Sequence, residues 1–178
     1  MKYNRLCVLI VTLSLLMLAS NIAIAGKKLD DATILAIFDQ ANTTDIFVGR
    51  MGVKYGHSKD VRKLAEMVAT DHVAVQQMGR DLAKKLNIIP TPPDNDTSVA
   101  DQAKIIAQLQ SKSGREFDKA YLHHELSFHQ GVIDAINETL LPSITNKEFK
   151  SLVKKVLPGF KHHLAETRKV AKKLGVTH

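Results

Sequence analysis

Cysteine is almost absent from this chain: its 178 residues include one, Cys7. Cys7 lies in an N-terminal segment that we predict to be removed, so the mature chain would have no disulfide and no thiolate chemistry. It also lies too far before the predicted cleavage site to carry a lipoprotein anchor. The stability of the mature chain must therefore come from the packing of its core.

Aromatic residues are also scarce, and the charge is only moderately unbalanced. The chain has six phenylalanines, three tyrosines and no tryptophan, which leaves no platform on which bases or sugars could stack. Its formal net charge of +7 falls to +5 when the two basic residues of the N-terminal segment are removed. We therefore expect no nucleic-acid partner, whereas weak contact with an anionic envelope surface is compatible with this charge.

The N-terminus has the pattern of a cleavable signal peptide. Two basic residues precede a nearly unbroken apolar run at 6–18, and a small-x-small pattern ends at Ala25. The run is short for a membrane span, although an uncleaved N-terminal anchor is the alternative. We predict that residues 1–25 are a signal peptide and that 26–178 form one domain exported to the periplasm.

The rest of the chain has helical spacing of apolar residues and lacks the alternation typical of strands. We predict four long helices, over 31–55, 58–86, 113–141 and 145–174, and a short helix over 99–111. Ser58 is the predicted cap of the second long helix, and a capping box at Thr145 is predicted to begin the fourth. Pro142 is predicted to stop the third. The connection of about 26 residues between the second and third long helices can traverse a bundle, whereas the other two connections are short hairpins. The sequence therefore predicts an all-α, ferritin-like four-helix bundle with a long helical crossover between helices two and three.

Each long helix has a potential metal ligand near its middle, on or beside its apolar stripe. These residues are Asp45, His72, Glu125 with His129, and His163. In each helical hairpin, the ligand-type residues of the two helices lie at nearly the same number of residues from the connecting turn. The difference corresponds to roughly 3–5 Å at about 1.5 Å per residue. The four helices therefore place their ligand-type residues at one level near the midpoint of the bundle.

Two interpretations of this polar level follow from the residue types. His72, His129 and His163, completed by Asp45 or Glu125, suit Zn, Cu, Fe or Mn, which residue type alone does not distinguish. The alternative is a hydrogen-bonded polar core without metal, because a single buried histidine is more often satisfied by hydrogen bonds than by an ion. In either case a buried Asp45 requires a neighbouring histidine or a cation.

Residues beside this level are candidates for supporting roles. Asp71 could orient a ligand, and Tyr121 could offer its hydroxyl to a core carboxylate. His123 and His162 are predicted to be exposed, whereas His124 is predicted to point nearer the core. The lysines of the last long helix are predicted to lie mainly on its outer face. Binding of anionic lipid or polysaccharide there would depend on salt and on Lys154, Lys155 and Lys161.

Three motifs resemble a known family. They are Met67–His72 (MVATDH), Phe117–Tyr121 (FDKAY) followed by His129, and Leu157–Leu164 (LPGFKHHL). In this order and spacing the chain resembles the exported bacterial ferritin-like family called domain of unknown function 4142 (DUF4142). The resemblance implies a ferritin-like bundle in the periplasm, in some members described as outer-membrane associated, and it implies no established activity. By position, the acidic residue that the family has in its first helix falls at Asp45, where Glu is commoner, and its histidines fall at His72, His129 and His163.

The motifs that would indicate an enzyme are missing. No Glu-x-x-His sequence occurs in the chain, and di-iron members of the ferritin-like fold carry one on each of two helices. Di-iron oxygen activation, ferroxidase activity and nucleophilic catalysis are therefore not expected. The sequence predicts binding of one transition-metal ion at the bundle midpoint, and the alternative is a structural or stress-protective envelope protein. A homo-oligomer is compatible with both.

Overall fold

The computed structural model describes residues 29–176, and this part of the chain is all-helical, as predicted. The elements are α1 (Asp31–Tyr55), α2 (Lys59–Leu86), α3 (Ser98–Gln110), α4 (Gly114–Ala135), a π-helical segment (Ile136–Leu140), α5 (Leu141–Ser143) and α6 (Lys147–Lys173). The predicted signal peptide, residues 1–25, lies outside the described residues. Among residues 29–176, no helix has the length and apolar character that crossing a membrane requires.

Three of the long helices, α1, α2 and α6, begin at polar side chains that accept hydrogen bonds from their first amide groups. Asp30 caps α1 and Ser58 caps α2, each by accepting a hydrogen bond from an amide in the first turn. The predicted cap of α6 was wrong: Asn146, and not Thr145, accepts hydrogen bonds from two amides of the first turn. Thr145 lies before the helix, and its hydroxyl donates to the carboxylate of Asp31.

The end of the third long helix also differs from the prediction. Regular α-helix stops at Ala135, and the chain continues through the π-helical segment and α5 as far as Ser143. Pro142 lies in α5, which follows the π-helical segment without a break, so helical backbone continues through Pro142. Pro142 therefore belongs to the last turn of this region and does not stop the helix before it.

Contacts at the two ends of the molecule establish the directions of the long helices. Asp118, near the start of α4, accepts hydrogen bonds from the amides of 57–58 in the α1–α2 turn, at 2.7 and 2.8 Å. At the other end, Asp31 accepts hydrogen bonds from 145–146, at the start of α6. Helices α1 and α6 therefore run one way and α2 and α4 the other. The connection that contains α3 returns the chain from the end of α2 to the start of α4.

Helices α1 and α2 approach closely because small residues face each other between them. A Cβ atom added at Gly49 would lie 2.9 Å from the Cβ of Ala69, and one added at Gly52 would lie 2.6 Å from the Cβ of Ala65. This close approach lets the short side chain of Asp45 on α1 reach α2. Helices α4 and α6 pack against each other and cover the pair, with α6 beside α2 and α4 beside α1.

Replacing Asp31 with asparagine is expected to destabilise the protein by about 1 kcal/mol at pH 7, because asparagine offers one accepting oxygen where the carboxylate offers two. Burial alone would raise the pKa of Asp31, but its hydrogen bonds to 145–146 lower the pKa below its ordinary value. A carboxylate of this kind stabilises the fold above its unfolded-chain pKa of about 3.9, and this contribution is lost as the pH falls through the folded pKa. Urea unfolding at several pH values should therefore show a difference between the two proteins that shrinks below about pH 4.

The matched control for this prediction is Asp134→Asn, at an exposed carboxylate on α4. Its effect on the free energy of unfolding should stay within about 0.5 kcal/mol at neutral pH. If the difference between wild type and Asp31→Asn were constant from neutral pH down to about pH 2.5, the carboxylate would not be responsible for it.

Candidate metal centre

Five buried side chains from the four long helices meet near the middle of those helices. Asp45, His72, Glu125, His129 and His163 each have at most 3% of their surface exposed. Their potential ligand atoms form two groups, each within 4.8 Å: one of His72, His129 and His163, and one of Asp45, Glu125 and His129. His129 belongs to both groups. The structure thus brings together every residue of the predicted site, and their role as metal ligands stays a prediction.

In each of the three histidines, one ring nitrogen faces the other ligand-type residues (the inner nitrogen) and one faces away from them (the outer nitrogen). In two of the histidines, the outer nitrogen faces an oxygen that can only accept a hydrogen bond. Nδ1 of His129 lies 3.0 Å from the backbone oxygen of Glu125, one turn earlier on α4. Nε2 of His163 lies 2.9 Å from Oδ2 of Asp71 on α2. Because a carbonyl and a carboxylate oxygen accept, these two nitrogens must carry the hydrogen. In a neutral ring the other nitrogen then has a lone pair.

The third histidine is held in the same way by an amide. Nδ1 of His72 lies 2.9 Å from Oδ1 of Asn42. The nitrogen of the Asn42 side chain donates to the backbone oxygen of Phe38 at 2.7 Å, so the amide oxygen is the atom that faces His72. Nδ1 of His72 therefore donates, and its Nε2 has the lone pair when the ring is neutral.

The inner nitrogens of the three rings lie close together. Nε2 of His129 is 3.2 Å from Nδ1 of His163 and 3.4 Å from Oδ2 of Asp45. Two atoms bound tetrahedrally to one Zn²⁺ at about 2.0–2.1 Å are about 3.3 Å apart, which is near both distances. With neutral rings, no hydrogen lies between His129 and His163, and the two lone pairs face the same small volume.

The carboxylates of the centre lack aligned hydrogen bonds. Nε2 of His72 lies 2.8 Å from Oδ2 of Asp45, but the two atoms are not aligned as a hydrogen bond. All four carboxylate oxygens of Asp45 and Glu125 are buried without a hydrogen-bond partner among residues 29–176. Buried carboxylates in this condition are costly unless a cation or a proton neutralises them. The arrangement fits a bound cation.

Burial determines most of the ionisation in the centre. It lowers the pKa of His129 to about 4 and also lowers that of His163, so both rings are neutral at pH 7, the form of histidine that can bind a metal. Burial alone would raise the pKa of Asp45, but His72 and His129 beside it lower the pKa below its ordinary value. Burial and the negative charge of Asp45 raise the pKa of Glu125 well above its ordinary value. The two histidines therefore favour the ionised form of Asp45, whereas burial favours the neutral form of Glu125.

Aromatic side chains enclose the centre. The ring of Phe160 lies 5.1 Å from that of His72, and the ring of Phe128 lies edge-on to His129 at 5.7 Å between centroids. Tyr121 is completely buried, and burial is the largest cause that raises the pKa of its hydroxyl well above its ordinary value. Excluding water in this way strengthens every electrostatic interaction inside the centre.

The groups that accept hydrogen bonds from the outer nitrogens of the histidines, here called their outer partners, were the hardest to predict from the sequence. Asp71 was considered as a partner, but it binds His163 and not the adjacent His72, because consecutive helical residues point in different directions. Asn42 was missed, and its only signal is a position three residues before Asp45 on the inner side of α1. The backbone oxygen of Glu125 has no sequence signal at all.

The remaining histidines near the centre lie outside both groups of ligand atoms. His123 and His162 are exposed, as predicted. His124 is partly buried, and its Nε2 atom has no hydrogen-bond partner within the described range. Burial lowers the pKa of His124, so the ring is neutral at pH 7.

No curated protein and no solved structure was found to match the chain. A family model does match residues 18–170, a range that contains all five residues of the centre and their outer partners Asn42 and Asp71. The description of that family names no activity. The chain belongs to the family described as Domain of unknown function (DUF4142).

Proposed function

We propose that this protein is an exported, ferritin-like four-helix bundle that binds one transition-metal ion at its midpoint. The ligands are Nε2 of His72, Nε2 of His129, Nδ1 of His163 and a carboxylate oxygen of Asp45, with Glu125 as an additional ligand. One observation carries the proposal: each histidine donates its outer N–H group to an oxygen and has its other nitrogen near a shared volume. Histidines that bind metal in proteins are held in this way.

The charge of the centre suits a divalent cation. Asp45 is ionised and buried, and its oxygens lack aligned hydrogen bonds, so a cation would offset the cost of burying it. Three nitrogens and one oxygen suit four-coordinate Zn(II), and Glu125 would allow a fifth ligand for Cu(II), Fe or Mn. Binding through Glu125 would require its ionised form, whereas burial without metal favours the neutral form.

A metal-free polar core in a structural or stress-protective envelope protein is the second candidate. The 2.8 Å contact between His72 and Asp45 favours it, because a doubly protonated His72 would form a buried ion pair with Asp45. This alternative leaves the facing lone pairs of His129 and His163, 3.2 Å apart, without a hydrogen between them. The metal proposal accounts for these facing lone pairs.

The setting of the protein is part of the proposal. Export to the periplasm is supported by the signal-peptide pattern of residues 1–25. The exposed lysines of α6, which include Lys154, Lys155 and Lys161, are compatible with weak contact with an anionic envelope surface. No enzymatic activity is proposed, because neither a Glu-x-x-His motif nor a nucleophile–base pair supports one.

Elemental analysis of untagged protein purified from the periplasm tests the metal proposal. We expect about one equivalent of a single transition metal per chain. Adding that metal to stripped protein, at about 100 times its Kd, should raise the Tm by roughly 5–10 °C. Less than about a tenth of an equivalent of every transition metal, with an unchanged Tm, would overturn the proposal in favour of the polar core.

A further inference from the structure

One side of the centre lies much nearer to solvent than the others. The side chains of Asp45, His72, Glu125 and His129 are at most 1% exposed, whereas Asp71, the outer partner of His163, is 53% exposed. The outer partners of the other two histidines are the buried Asn42 and a buried backbone oxygen. His163 and Asp71 therefore connect the centre to solvent through two side chains, on the face between α2 and α6.

We propose that Asp71 and the outer edge of His163 form an access site for a divalent cation on its way to the centre. This inference rests on the proposed function. His163 contacts both environments, because its Nδ1 lies 3.2 Å from His129 inside and its Nε2 lies 2.9 Å from Asp71 outside. The exposed carboxylate of Asp71 is the first charged group of this connection that a cation from solvent meets.

In this proposal, a rotation of the His163 ring would move the ion inward. Turning the imidazole would bring the lone pair of Nδ1 to the outer side, beside the carboxylate of Asp71. The return rotation would place Nδ1 beside His129 again and restore the hydrogen bond from Nε2 to Asp71, so no proton would be gained or lost.

The opposite approach to the centre is closed by an aromatic ring. A cavity of about 880 Å³ lies between α1, the loop after α2 and α3, and Phe128 forms part of its wall. The ring of Phe128 packs edge-on against His129 and also contacts the ring of His124. A cation in this cavity would have to pass the apolar Phe128 ring before it reached a ligand.

Stopped-flow uptake of Zn²⁺ by metal-stripped protein tests the access site with Asp71→Asn. Asparagine keeps an oxygen that accepts the hydrogen bond from His163 but removes the negative charge. We expect uptake about 3–10 times slower than in wild type at low salt, with the difference disappearing near ~0.5 M salt. At saturating Zn²⁺ both proteins should still bind about one equivalent, whereas the affinity of Asp71→Asn should fall, because Asp71 also orients His163.

Two further variants make the outcome specific. Asp81→Asn removes the same charge from an exposed position on the same helix, about 15 Å away at ~1.5 Å per residue, and its uptake rate should equal that of wild type. Phe128→Leu should also leave the rate unchanged. Equal rates in wild type and Asp71→Asn, equal slowing by both aspartate variants, or faster uptake in Phe128→Leu would overturn the access site and leave the metal proposal standing. A wild-type protein that takes up no Zn²⁺ or any other transition metal would overturn both.

Discussion

Replacing His129 with alanine is expected to weaken metal binding by at least about 100-fold, more than any other single change. Replacing a residue that only orients a metal ligand typically lowers the metal affinity 10–100-fold, so loss of the ligand itself should cost at least as much. His129 is the residue common to both groups of ligand atoms. Its Nε2 lies 3.2 Å from His163 and 3.4 Å from Asp45, so its removal opens the middle of the ligand set. Competition with a chromophoric chelator measures the loss, and the rise in Tm on metal addition should disappear with it.

The matched control is His123→Ala, which removes an exposed imidazole six residues earlier on the same helix. Its affinity should stay within about twofold of wild type, because surface substitutions away from a site have small effects. Circular dichroism of both metal-free variants establishes that they are folded. A folded His129→Ala protein that binds metal within about threefold of wild type would contradict the ligand set.

Replacing Gly52 with alanine is expected to destabilise the metal-free protein by about 2 kcal/mol, because the added methyl group overpacks the core. Its Cβ would lie 2.6 Å from the Cβ of Ala65 and 2.7 Å from a ring carbon of Tyr121. Neither neighbour yields readily, since Ala65 is held by the α2 backbone and Tyr121 is completely buried. Moving Tyr121 would also disturb Glu125, so metal affinity should fall together with the free energy of unfolding. Urea unfolding and the chelator competition measure the two effects.

A second glycine separates crowding from helix propensity. Gly131 lies in α4, and a Cβ added there would meet nothing within 4 Å. Gly131→Ala should therefore stabilise the protein by about 0.5–1 kcal/mol, the usual preference of a helix interior for alanine. If Gly52→Ala were also stabilising, the close contact of α1 with α2 and Tyr121 would not limit the size of residue 52.

The helices could be predicted because their signals are local. The apolar stripe and the capping side chains at Asp30 and Ser58 depend on residues a few positions apart, and the predicted span of α1 agrees with Asp31–Tyr55. The prediction was wrong where two local signals competed. Thr145 and Asn146 are both good caps, and the one that caps α6 was decided by a distant residue, since Asp31 binds Thr145.

The candidate site could be predicted as a set of residues but not as an arrangement of atoms. Helical spacing placed Asp45, His72, His129 and His163 on inner faces at similar depth, and all are buried together. Spacing could not show that Asp71 would bind His163 across two helices, or that Asn42 would orient His72. These contacts depend on how closely α1 approaches α2 and on how α6 lies beside α2.

The sequence by itself determined that the chain is helical and that each long helix has polar, ligand-type residues on its inner face, because periodicity and residue type are properties of the chain alone. Only the tertiary structure decided which nitrogen of each histidine is held by an oxygen and which is left with a lone pair in the centre. The physical reason is that hydrogen bonds between helices depend on helix direction, interaxial distance and side-chain rotamer. Spacing along the chain specifies none of these three quantities.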